Sequence, residues 1–160
     1  MTARLRPHAP LACALLLMLG LRAALLGAGV IPFNSDEAVV ALMARHILDG
    51  ERPVFFYGQA YLGSLDAWLV AGAFRVLGEG VLAVRVVQVT LCAGTLVSTY
   101  AVALALFGDR RRARLAALWL AIPPVVLTLY TTASLGGYGE ALLIGNALWW
   151  LALRMARSST

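Results

Sequence analysis

Asp36 and Glu37 stand side by side just behind a long apolar stretch, and Glu140 follows the run Leu135-Gly136-Gly137-Tyr138-Gly139. Carboxylates in such places can work as general bases, because partial withdrawal from water raises their proton affinity. At helical spacing Asp36 falls on one stripe with Val40, Met43 and Ile47, which places an acid on an apolar face. The plainer alternative is that acids at a helix start complement its dipole, worth some tenths of a kcal/mol. Glu140 has two readings as well: an ionisable group turned into a helix bundle, or an interfacial acid that reaches water. Arg22, Arg85 and Arg52 are the candidates for holding a lipid phosphate, since a guanidinium pairs bidentately with phosphate oxygens. Arg45 and His46 lie near Arg52. For Arg45 and Arg52 the competing role is a weak surface pair with Asp49 or Glu51. Asn146 suits a hydrogen bond between helices better than a ligand contact.

The elements that position these groups follow from composition. The 160 residues are 61% hydrophobic and 13% charged, with mean hydropathy +0.83. A soluble domain is about half apolar and a quarter charged. A water-soluble monomer of this length has no room to hide so much apolar surface, and disorder or a disulfide-rich scaffold is excluded by the same figures. The expected fold is therefore all-α: a polytopic membrane bundle of about four transmembrane helices, forming one domain over 1–160. The spans fall at Leu11 to Ile31, Val81 to Phe107, Leu115 to Tyr130 and Leu135 to Leu153, each near the length of about 20 residues that a crossing needs. Pro123-Pro124 is expected to kink the third. The N-terminal stretch has the charge pattern of a signal peptide, but its length and the spans behind it favour an uncleaved anchor. Cys13 and Cys92 both fall in spans and read as packing residues.

All 13 cationic side chains are arginine. With four crossings, Arg4, Arg6, Arg110, Arg111, Arg112, Arg114, Arg154 and Arg157 share one side with a single acid, Asp109. Asp36, Glu37, Asp49, Glu51, Asp66 and Glu79 share the other, with Glu140 at its edge. The positive-inside rule makes the arginine side cytoplasmic, with both termini, in a multi-pass plasma-membrane protein. The net charge of +5 is thus a sum over two faces, and nucleic-acid binding is not supported. The outer loop, 32–80, is expected to hold two interfacial helices. The first runs from Asp36 to about Leu48, capped by Ser35; a connector from Glu51 to Gly58 leads to the second, Gln59 to Leu77. A crossing by 57–77 would put the four-arginine turn outside, against the charge rule.

This order of parts resembles the N-terminal portion of the GT-C glycosyltransferases, most closely the bacterial protein mannosyltransferase and aminoarabinose transferase type. The resemblance rests on Asn34-Ser35-Asp36-Glu37-Ala38 after the first span, then Tyr57-Gly58-Gln59-Ala60-Tyr61-Leu62-Gly63-Ser64-Leu65-Asp66-Ala67-Trp68. Val84-Arg85-Val86 and Gly136-Gly137-Tyr138-Gly139-Glu140 complete it, over about Leu11 to Leu153. It implies transfer of a sugar from a polyprenyl-phosphate donor to an acceptor hydroxyl on the extracytoplasmic face, with inversion. Asp36 would then be the base with Glu37 beside it, Glu140 a second acid on the acceptor side, and Arg85 an arginine serving phosphate or structure. No cofactor is called for, and a divalent metal, though compatible with such chemistry, is not indicated by any ligand spacing. Members of that family carry many more spans, so the resemblance also implies a fragment of a longer protein, or a chain that needs a partner. The competing reading is a small non-catalytic polytopic protein, a scaffold or transporter subunit, whose acids are interfacial decoration.

Overall fold

The computed structural model describes residues 9–158. Arg4 and Arg6, part of the charge count above, lie outside them. The chain is mostly helical: α1 (Ala9–Gly27), α2 (Ser35–Leu48), a two-stranded hairpin of β1 (Phe55–Phe56) and β2 (Gln59–Gly63), α3 (Leu65–Leu77), α4 (Val81–Phe107), α5 (Arg110–Ala121), α6 (Val125–Tyr130) and α7 (Tyr138–Ser158).

Four long legs alternate in direction. Met18 of α1 packs in one cluster with Cys92 and Leu96, while Leu26 lies level with Leu82, so α1 and α4 are antiparallel. The left-handed Gly108 turns the chain back into α5. Along α7, Gly139 lies against Gln88 and Leu91, Leu143 against Gly94, and Asn146 against Thr95, Ser98 and Thr99, so α7 runs parallel to α4. Two of these helices, α1 and α4, are long and apolar enough to cross a membrane, with 17% and 22% of their most apolar stretches buried. The core helix of a soluble protein would be mostly buried; these instead present apolar flanks outward.

Several expected boundaries move. The third leg is two helices rather than one kinked span, because prolines at 123 and 124 offer no N–H to continue α5. Its basic start is not a loop: Arg110 to Arg114 form the first turn of α5, capped by Asp109, whose side chain accepts from the Arg111 N–H at 2.8 Å. α7 begins at Tyr138 and continues to Ser158, past the expected end at Leu153. With arginines at the head of α5 and at the tail of α7, and a break at 122–124, neither leg has the uninterrupted apolar length that marks α1 and α4.

The expected helix from Gln59 is corrected most. Residues 54–57, Val-Phe-Phe-Tyr, favour strand, and Gly58 at φ +78° makes the tight turn of a hairpin. The Ser64 hydroxyl donates to the Pro53 carbonyl at 2.6 Å, tying the hairpin base where α3 starts. The cap of α2 is Asn34, not Ser35: Asn34 and Glu37 form a capping box. α2, the hairpin, α3 and the first turn of α4 enclose one apolar core, with Val40, Met43, Val70 and Val84 wholly buried. A second core, among α1, α4 and α5, is built from smaller residues: Ala14, Ala117 and Ala121 around Met18, Cys92 and Leu96.

A candidate site at the start of the second helix

The capping box fixes the two adjacent acids in opposite settings. The Asn34 side chain accepts from the Glu37 N–H at 3.0 Å, and Glu37 Oε2 accepts from the Asn34 N–H at 3.3 Å. Glu37 is thereby turned inward, with 0% exposure. There Oε2 meets Arg85 Nη2 at 2.7 Å, and Oε1 accepts from the Ser134 N–H at 3.3 Å. Arg85 also donates to the Pro32 carbonyl at 3.1 Å, so it ties α4 to the segment joining α1 and α2. Burial pushes the Glu37 carboxyl above its ordinary range, against the opposing pull of Arg85 and the N–H groups of Ser134 and Asn34.

Asp36, one residue away, is half-buried, and its side chain makes no hydrogen bond or ion pair among the described residues. It lines a cavity of about 810 Å³ between α1, the start of α2 and α6. Leu21, Leu25, Val125 and Leu129 supply much of the wall, and Asp36 is the only ionisable residue in it. The expected apolar stripe is present, since Val40, Met43 and Ile47 are buried, but the acid that enters the interior with them is Glu37.

Other candidates divide. Arg22 is 1% exposed and donates to the Thr131 hydroxyl; with Arg85 it lines a second cavity, between α1 and α4. Arg52 is exposed at the far end of α2, in a cleft with Trp68 and Arg75. Arg45 pairs with Glu79 at 3.1 Å rather than with Asp49 or Glu51. His46 accepts from or donates to the Tyr57 hydroxyl at 3.1 Å, according to its tautomer. Glu140 is buried but does not reach the Asp36 cavity; it lies beside Asp66 instead. Asn146 bridges α7 to α4, donating to the Thr95 carbonyl and to the Ser98 and Thr99 hydroxyls.

Asp66 is the residue that sequence reasoning passed over. It is 2% exposed, accepting from Gln88 Nε2 at 2.8 Å and from the Ser134 hydroxyl. Burial raises its carboxyl above the ordinary range, with Ser134 and Gln88 opposing the rise. Ser134 thus serves two acids, Glu37 through its N–H and Asp66 through its hydroxyl. The signal available in sequence was an acid inside an otherwise apolar helix, which seldom occurs without buried partners. Among the described residues no three of His, Cys, Asp or Glu gather as a metal site.

Compared with protein-family models, with characterised proteins and with solved structures, the chain gives no match.

Proposed function

We propose that this chain belongs to a membrane glycosyltransferase that uses a polyprenyl-phosphate-linked sugar. Asp36 is its base, on the extracytoplasmic side of the plasma membrane. The observation that carries the reading is the setting of Asp36: a half-buried, unpartnered carboxylate, the sole ionisable group in an apolar cavity of about 810 Å³. Such a wall suits an amphipathic, lipid-linked substrate, and a carboxylate free of internal partners is available to an incoming proton. Asp36 takes the proton of the acceptor hydroxyl as that oxygen attacks the anomeric carbon. The bond from that carbon to the phosphate oxygen breaks, polyprenyl phosphate leaves with the electron pair, and the configuration inverts.

Glu37 is a positioning residue in this scheme. Its carboxylate is committed to Arg85, Asn34 and Ser134, so it holds the first turn of α2 in place. Glu140 shapes the same end of the bundle from beside Asp66 rather than touching the acceptor. Arg85 and Arg22 line a different cavity from Asp36, and Arg52 lies at the other end of α2, so none of the three is assigned to the donor phosphate beside the base.

The bundle crosses the bilayer four times, with both termini cytoplasmic. This is supported by the alternating legs and by the length of α3, whose 13 residues rise only about 20 Å, short of a crossing. The test is Asp36→Asn in the complete protein, assayed for transfer from a purified polyprenyl-phosphate sugar. A loss of about 10²-fold or more is expected, with the fold intact. Undiminished transfer would remove Asp36 as the base, and no transfer by the wild-type protein would leave a scaffold or transporter subunit as the better account.

A further inference from the structure

The groove between α1 and α4 holds a cavity of about 560 Å³, on the other side of α1 from Asp36. Leu19, Leu26, Leu82 and Val89 form hydrocarbon walls, and Arg22 and Arg85 are the only charged groups lining it. Their exposures are 1% and 3%. The positive charge of Arg85 is matched by Glu37, but its Nε and Nη1 have no acceptor. Arg22 has no carboxylate partner at all among the described residues; its one bond goes to the Thr131 hydroxyl, and its Nε and Nη1 are also without acceptors. Four buried guanidinium nitrogens therefore lack acceptors, and one positive charge is uncompensated. Thr90, which also lines the cavity, donates its hydroxyl hydrogen to the Val86 carbonyl.

A buried arginine without a counter-ion is strongly disfavoured, and so are buried donors left unpaired. What completes such a site is an anion with several acceptor oxygens, and phosphate meets the planar fork of arginine better than a spherical ion does. The hydrocarbon walls add a second demand, an apolar chain attached to the anion. We infer that the α1–α4 groove binds a lipid-borne phosphate, with Arg22 and Arg85 on its oxygens and the chain along Leu19, Leu26 and Leu82. The inference rests on placing α1 and α4 in the bilayer, and it stands whichever reaction Asp36 serves. Two lipids offer this chemistry, a polyprenyl phosphate and an anionic glycerophospholipid.

The test is native mass spectrometry of the purified full chain in phosphatidylcholine nanodiscs, titrated with undecaprenyl phosphate or with phosphatidylglycerol. Saturable binding is expected, weakened about tenfold or more in Arg22→Gln and in Arg85→Gln. Arg22→Lys, which keeps the charge but not the fork, should retain part of it, and Arg45→Gln, at a surface pair, should retain all. Preference for undecaprenyl phosphate assigns the site to a prenyl lipid, and equal binding of phosphatidylglycerol assigns it to bulk anionic lipid. Binding that Arg22→Gln leaves unchanged, or no binding of either lipid to the wild-type chain, overturns the inference. Arg22→Lys guards against misfolding, since a folded lysine variant with wild-type affinity would also contradict the role of the fork.

Discussion

The two ends of α4 are assembled by different rules. Near Val81, ionisable and polar groups are buried together: Glu37 with Arg85, Asp66 with Gln88 and Ser134, Glu140 beside Asp66, and Arg22 on Thr131. From the middle of α4 toward Phe107 the contacts are apolar, with Ala14, Ala117 and Ala121 set among Met18, Cys92 and Leu96, and arginines stand at the head of α5. Small residues let helices approach closely and tolerate change, whereas a buried polar network fails when one member is lost. The polar end fixes one arrangement of α2, α3 and the 131–137 segment around Asp36. The small-residue end holds the legs together without dictating much else.

The largest effect should come from breaking the ion pair. Arg85→Leu leaves the Glu37 carboxylate buried and alone and should cost about 3–5 kcal/mol, read from denaturant unfolding in detergent. The double variant Glu37→Leu with Arg85→Leu should recover much of that, and equal destabilisation by single and double variants would show that the pair is not the keystone of the polar end. Next comes Gly139→Ala. A Cβ there would sit 2.9 Å from Gln88 Oε1 and 3.2 Å from Leu91 Cδ1, so about 1–3 kcal/mol should be lost. Gly145→Ala, farther along α7 and with nothing within 4 Å, should instead be neutral or stabilising, and a similar cost at both glycines would erase the contrast between the ends.

Asn146→Leu should cost about 0.6 to 1.7 kcal/mol, because three acceptors on α4 lose their donor while the small-residue packing persists. The mildest prediction concerns pH. Asp66 and Glu37 carry raised carboxyl pKa values, so the folded chain binds more protons than the unfolded one between the ordinary and the raised values. The contribution of these two acids to stability is then greatest below the ordinary carboxylate range and falls as pH rises from there through the raised values. Asp66→Asn should flatten that fall and gain on the wild type toward neutral pH, as measured by thermal unfolding across a pH series. An unchanged pH profile would mean that Asp66 is not the buried acid described.

The long legs were legible because apolar runs of span length are a coarse signal: α4 matches its expected bounds at both ends, Val81 and Phe107. The break at 122–124 could be foreseen as a kink, since two prolines deny the backbone its N–H groups, but its completeness depends on packing. The hairpin at 55–63 was missed because its apolar residues are also compatible with an interfacial helix, and the bonds that tie Ser64 back to Pro53 and Val54 at the start of α3 join residues about ten positions apart. The site was half legible. Asp36 and Glu37 were both singled out, but which of them turns inward follows from the capping box and from Arg85, forty-eight positions away. Asp66 was overlooked because its partners, Gln88 and Ser134, are remote in sequence and unremarkable in type.

In the proposed topology the two ends of α4 lie on opposite sides of the membrane, the polar end outward and the arginine-rimmed end toward the cytoplasm. Single cysteines at Glu51 and at Arg111, in a chain with Cys13 and Cys92 replaced by alanine, can be labelled in intact cells with an impermeant maleimide. Labelling of Glu51→Cys in intact cells, with Arg111→Cys reached only after permeabilisation, is the result this account predicts. Labelling of both positions from the same side, or of Arg111→Cys alone from outside, would contradict it.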